Sequence, residues 1–99
     1  MSTTTFPESG VKKQILHVTV LSPERIVFAG DAKALSSVND NGPFDILPYH
    51  ANLITIIKDT IIIHLEGNKD QKIPCERAIM KVFENTVSIF LGVETFEGK

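Results

Sequence analysis

The sequence predicts an all-β domain, an antiparallel β-sandwich or flattened barrel of about eight to ten short strands. Three observations carry this. Ile and Val number 20, against 12 for Leu and Ala together, and branching at Cβ suits a pleated sheet better than a helix. No segment sustains the i, i+3, i+4, i+7 apolar pattern over three turns. Alternation of period two recurs instead, punctuated by Gly, Pro, Asn and Asp.

Each element follows in order. Ile15–Leu21 alternates Leu16, Val18 and Val20 against Ile15, His17 and Thr19, and Pro23 ends it because proline has no ladder donor. Arg25–Ala29 is a short second run before a turn at Gly30-Asp31. Ala32–Val38 is a third. Asn39 to Pro43 is a loop, dense in residues that tolerate or fix unusual φ. Phe44–Leu47 follows and Pro48 closes it. Leu53–Ile57 and Thr60–Leu65 flank Lys58-Asp59, expected to be a hairpin. Gly67 to Asp70 turns the chain. Gln71–Arg77 reads as an edge strand because Pro74 lies within it. Ala78–Phe83 and Thr86–Leu91 flank Glu84-Asn85, a further hairpin.

The expected core is Leu16, Val18, Val20, Ile26, Phe28, Ile46, Leu53, Ile61, Ile63, Leu65, Val82, Val87, Ile89 and Leu91. Ile54, Ile56, Ile62, Ile79, Met80 and Phe90 lie out of step with that set. A surplus of such residues at the surface marks a docking face. The division expected is a tail over residues 1–14, a sandwich over 15–92 and a short tail over 93–99.

At 99 residues and 10.9 kDa the chain makes one domain. Ten Lys and Arg against twelve Asp and Glu give a net charge of −2, so there is no basic footprint for nucleic acid. The single cysteine, Cys75, excludes an internal disulfide framework. No signal-peptide pattern opens the sequence. The most apolar stretch, Leu53–Leu65, is interrupted by Lys58-Asp59 and is shorter than the roughly 20 residues of a membrane helix.

Catalytic chemistry finds little support. His17, His50 and His64 form no HxH or HxxxH pair, so no single element presents two metal ligands. Asp45, His50 and Ser36 or Ser37 make a triad only on paper, without a nucleophile elbow. The six glycines are isolated, and no phosphate-binding loop exists. Composition and spacing therefore reach a small all-β binding module, with no cofactor and no metal expected.

Two segments say more. The first contains Ser22, Pro23, Glu24, Phe28 and Gly30. The second contains Gly42, Phe44, Ile46, Leu47, Pro48, His50, Ala51, Leu53, Ile54 and Thr55. In identity, order and spacing they resemble the epsilon subunit of F-type rotary ATP synthases, called delta in mitochondria. That family carries SPE-x-x-x-F-x-G and then G-x-F-x-I-L-P-x-H-A-x-L-I-T. The resemblance spans Ile15 to about Leu91.

The resemblance implies a non-catalytic rotor subunit of the central stalk, linking the gamma subunit to the membrane c-ring and coupling rotation to ATP synthesis. It implies a peripheral position on the cytoplasmic face of a bacterial membrane; no nucleotide is expected, because the phosphate loop and the family's helical hairpin are both missing from the sequence. It also places the c-ring contact on Asp40, Asn41, Gly42, Pro43, Asp45, Tyr49 and His50, in two loops at either end of Phe44–Leu47. The alternative is a stand-alone β-sandwich module for a ligand or peptide.

Three departures from the family pattern stand out. Tyr49 occupies the place of a glycine in LPGHA, Asn52 replaces a smaller residue, and Arg77-Ala78 align with a Gly-Gly pair. Past Gly92 the sequence has no room for the family's C-terminal helical hairpin, so the braking and ATP sensing associated with it are not expected here.

Overall fold

The computed structural model describes residues 14–92, and those residues are all strand and connection. The elements are β1 (Leu16–Leu21), β2 (Ile26–Ala32), β3 (Ala34–Asn39), β4 (Gly42–Ile46), β5 (Leu53–Leu65), β6 (Lys69–Phe83) and β7 (Thr86–Leu91). They form one hydrogen-bonded sheet in the order β2-β1-β7-β6-β5-β3-β4. Seven strands replace the eight to ten expected. The tails expected over 1–14 and 93–99 lie outside the described residues, apart from Gln14.

The count falls because two expected breaks are not breaks. Lys58-Asp59 is no hairpin: β5 runs unbroken from Leu53 to Leu65. A two-residue reversal of this kind places both central residues in the left-handed region. Asp59 takes φ 71°, but Lys58 does not join it. The ladder therefore shifts register and continues. Glu84-Asn85 shows the contrast: φ is 48° and 64°, Phe83 pairs with Thr86, and the chain reverses as expected. Likewise Gln71–Arg77 and Ala78–Phe83 are one strand, β6. Gly30-Asp31 is no turn either, since β2 carries through both residues to Ala32.

Pro74 was a sound indicator locally. Beyond Ala78 the described part of β7 no longer accompanies β6, so Lys69–Arg77 is paired only with β5. There a residue without an N–H costs no ladder bond.

The sheet must fold over on itself. Ile46 pairs with Leu35, and Leu35 with Ile63. Were β5 straight, Leu53 would stand about 33 Å from Ile63 along the strand. The connection from Ile46 to Leu53 spans at most about 25 Å even when fully extended. It is also contracted by a turn in which His50 N–H donates to the Leu47 carbonyl at 3.1 Å. The bend lies at the irregularities around Asp59. On one side β5 gains residues against β3 between Ser36 and Val38. On the other β6 gains one against β5 between Cys75 and Ala78.

That second bulge resets the inward parity of β6. Ile73 is buried at an odd position, while Ala78, Met80 and Val82 are buried at even ones. It accounts for the assignment of Met80, expected out of step, to the core. It also settles the Arg77-Ala78 question. Neither residue has positive φ, so no glycine is required for backbone reasons, and Ala78 is fully buried in the core.

The core joins all seven strands. Leu16, Val18, Val20, Ile46, Ile61, Ile63, Val82, Val87 and Ile89 are buried as expected, and Phe28, Leu53, Leu65 and Leu91 pack half-buried against them. Ile26 is a correction: it is 61% exposed, because the register slips between Val20 and Leu21 and turns it outward. Ala32, Leu35, Ile57 and Ile73 complete the core and were not anticipated. Strand direction holds a further difference. Every pair is antiparallel except β1 with β7, which is parallel; alternation reports which face is buried and not which way a strand runs.

Ser37 is the one buried polar residue of the described part. Its hydroxyl donates to the Thr60 carbonyl at 2.8 Å, inside the bend where the β3–β5 ladder is interrupted. Ser37→Ala leaves that carbonyl without this donor. It is expected to lower stability by about 1–2 kcal/mol in chemical denaturation, while the neighbouring Ser36→Ala, half-buried, costs less.

Candidate functional site

The two recognisable motifs are turns that the structure locks in place. Ser22 N–H donates to the Arg25 carbonyl at 2.9 Å, and Ser22 Oγ accepts from Arg25 N–H at 3.2 Å. Ser22 Oγ also lies 3.4 Å from a Glu24 carboxylate oxygen. This fixes the β1–β2 connection. Pro23 packs on Gly92, where a Cβ would come within 3.2 Å of the proline ring. The Phe28 ring lies over Gly30 in β2, at 3.4 Å from where a Cβ would be. The motif residues are thus mutually fitted at one end of the sandwich.

The second motif builds a turn over Leu47-Pro48-Tyr49-His50. Pro48 presets φ at the first central position, and the second demands φ > 0. Tyr49 supplies φ 69° there. For a residue with a Cβ that conformation costs about 1–2 kcal/mol, and glycine would avoid it. Tyr49 is nonetheless 73% exposed. Its N–H donates to the side-chain oxygen of Asn85, and Glu84 N–H donates to that of Asn52 at 3.2 Å. Two amide side chains therefore tie this turn to the β6–β7 hairpin. Ala51, Leu53 and Thr55 carry the chain from the turn into β5. His50 Nδ1 donates to the Ala51 carbonyl at 2.7 Å, so part of its role is to hold the turn.

The other predicted site residues lie elsewhere on β4 and its neighbours. Asp40 and Asn41 form the two-residue β3–β4 connection, and Gly42 takes φ 115° as the return strand begins. The expected loop from Asn39 to Pro43 is thus a tight hairpin, with Gly42 and Pro43 already inside β4. Asn39 reaches Thr55 Oγ1 at 3.2 Å, which brings this hairpin to the starting end of β5. Thr55 and Asn52 are three residues apart, about 10 Å along a strand. The Asp40 and Tyr49 segments therefore share one rim. Asp45 does not join it: its carboxylate accepts from Ser36 Oγ at 2.6 Å on the outer face.

That contact belongs to a polar chain across four strands. Ser36 Oγ is 2.9 Å from His64 Nε2, and His64 Nδ1 is 2.9 Å from Asp70 Oδ1. The connectivity is that of a Ser-His-Asp triad, built from residues the sequence reading had not combined. Its chemistry is not. Ser36 has one proton, and it goes to Asp45. His64 Nδ1–H donates to Asp70, since an ionised carboxylate only accepts. With its proton directed at the Asp45 carboxylate, the Ser36 hydroxyl does not offer it to Nε2, the transfer by which a base activates a nucleophile. The chain is a strap across β4, β3, β5 and β6. His64→Ala is expected to lower stability by less than about 1 kcal/mol, as for other exposed polar contacts.

The third feature is an apolar row on the outer face. Ile26 pairs with Leu21, Leu21 with Phe90, Phe90 with Ile79, and Ile79 with Ile56. The row crosses five strands. Ile26, Ile56 and Phe90 are exposed, Leu21 and Ile79 half-buried, and Ile54 and Phe83 extend the patch at 70% and 51% exposure. Ile54, Ile56, Ile79 and Phe90 were marked by being out of step in sequence. Leu21 and Ile26 were missed because the slip at the end of β1 is silent in the alternation.

Comparison with known proteins agrees with this architecture. Residues 15–97 match the model of the ATP synthase delta/epsilon chain β-sandwich domain. The ATP synthase epsilon chain of Leptospira borgpetersenii is 36% identical over 74 residues, covering 75% of this chain and 58% of that protein. That of Nitratiruptor sp. is 31% identical over 85 residues, covering 84% and 66%. This chain thus spans less than two thirds of the length of these relatives. Among solved structures, a chain of the Euglena gracilis mitochondrial ATP synthase superposes with a TM-score of 0.75 at 14% identity, over 85% of this chain and 54% of that one. A chain of the Tetrahymena thermophila mitochondrial ATP synthase central stalk and c-ring gives 0.65 at 12%, over 81% and 64%. At such identities those two likenesses speak for the fold. The match over residues 15–97 goes further: this chain belongs to the family of the ATP synthase delta/epsilon-chain β-sandwich domain.

Proposed function

We propose that this chain is a non-catalytic rotor subunit of a proton-translocating F-type ATP synthase, held in the central stalk between the gamma subunit and the membrane c-ring. One observation carries the reading beyond family membership: the apolar row from Ile26 to Ile56. Permanent interfaces are more apolar than ordinary surface, and five register-matched strands give this one a rigid face. The gamma subunit is the partner assigned to it. The rim of Asp40, Asn41, Tyr49 and His50 is the side assigned to the polar loops of the ring. Pro43 and Pro48 stiffen the two segments, limiting the entropy lost on docking. The complex would lie at the cytoplasmic face of a bacterial membrane, with this chain peripheral to it.

In this role the subunit transmits torque and makes no bond. Rigidity is then the functional property, and the locked turns at Ser22 and Tyr49 and the strap through His64 supply it. The full chain, co-expressed with the gamma subunit of the same organism, should elute with it as one stoichiometric complex that adds to isolated c-ring. Elution of the two proteins separately at micromolar concentration would defeat the proposal.

A further inference from the structure

Tyr49 stands where the turn favours glycine, with its ring outside the protein. Its φ of 69° and 73% exposure mean that neither backbone nor core packing asks for an aromatic residue. Tyr49 borders a shallow depression of about 440 Å³ lined also by His50, Ala51, Asn52, Glu84 and Asn85. Among the described residues Glu84 is its one acidic residue, and no Lys or Arg lines it. Glu84 too holds a left-handed conformation, at φ 48°. The Asn85 and Asn52 side chains fix the two turns against each other, so the backbone that carries Tyr49 and Glu84 is a rigid frame.

We infer that Tyr49 and Glu84 form a seat for a guanidinium group, and that an arginine on a partner's polar loop is what this rim grips. An aromatic face attracts a cation, and a carboxylate beside it adds a charge-assisted hydrogen bond. Arginine suits the pair better than lysine, because its planar group stacks on a ring while its N–H fork engages a carboxylate. The preset turns reduce the ordering lost on binding. That the partner is the c-ring rests on the stalk reading above; the seat itself rests on the geometry alone.

Two measurements on the full chain separate those claims. The first is affinity for detergent-solubilised c-ring, with gamma-subunit affinity as the control. Tyr49→Gly relieves the backbone and should fold with an unchanged or higher Tm. It should bind the ring about five- to tenfold more weakly and the gamma subunit as before, while Tyr49→Phe keeps ring affinity within about twofold. Glu84→Gln should weaken ring binding to a similar degree. Undiminished ring binding by Tyr49→Gly, or equal loss of gamma binding, overturns the inference. The second is an NMR titration with N-acetyl-arginine amide against its neutral isostere N-acetyl-citrulline amide. Only the cation should give saturable shifts at the Tyr49 ring and Glu84, and equal shifts from both, or none, refute the seat. If the wild-type chain does not bind the ring at all, the stalk reading fails, and the titration alone decides the seat.

Discussion

Leu35→Ala is expected to remove about 2–5 kcal/mol of unfolding free energy. Leu35 is fully buried in β3, between its register partners Ile46 and Ile63. The side chain sits where the folded-over sheet closes, so the strands cannot collapse into the space without undoing the bend at Asp59. Truncation therefore leaves a cavity as well as losing transfer energy. A domain of this size has about 5–15 kcal/mol in all, so the loss takes a large fraction of it. Urea denaturation followed by far-UV circular dichroism would measure it. A loss below about 1 kcal/mol would show that Leu35 is not central to the core. Ile54→Ala, 70% exposed, is the matched control and should change stability by less than about 0.5 kcal/mol.

The largest effect on association is expected from the double variant Phe90→Thr, Ile56→Thr. Phe90 is the middle of the apolar row and Ile56 is its end. Threonine keeps the branched, strand-compatible Cβ while removing the aromatic ring and a long aliphatic chain. Both residues are exposed, so little core packing is lost. An aromatic anchor at the centre of an interface typically contributes about 2–4 kcal/mol, and gamma-subunit affinity should fall by roughly 30-fold to 1,000-fold. Binding by calorimetry or biolayer interferometry reads the loss, and a Tm within a few degrees of wild type separates it from unfolding. Wild-type affinity in the variant would move the gamma contact off this face.

The two motifs and a surplus of isoleucine off the core face were legible in the sequence. The turn at Pro48-Tyr49 was recognisable because proline fixes φ, and the rim could be anticipated because Pro48 and Asn52 bracket the entry to β5. The participation of Glu84 and Asn85 was not legible. They come to Tyr49 from more than thirty residues away, through side-chain amides that no local pattern marks. The Ser36–His64–Asp70 strap was hidden for the same reason: each pair is local to a register, and registers are set by bulges.

Local chemistry decided the strand content, the inward face of β1, β5 and β7, and the reversal at Glu84-Asn85. These depend on near neighbours: branching at Cβ, period-two burial, and residues that accept positive φ. Tertiary structure alone decided that Lys58-Asp59 bends a strand rather than ending it. It also decided that β6 changes its buried parity at Arg77, that Ile26 faces outward, and that β1 lies parallel to β7. The first three share one physical reason, whereas the direction of β1 against β7 is a matter of which strands the fold brings side by side. A strand's side chains obey a period of two only while its register holds, and a bulge of one residue inverts every face beyond it. The bulges around Asp59 let Ile46 close onto Leu53 across a folded sheet, which is a constraint between distant residues.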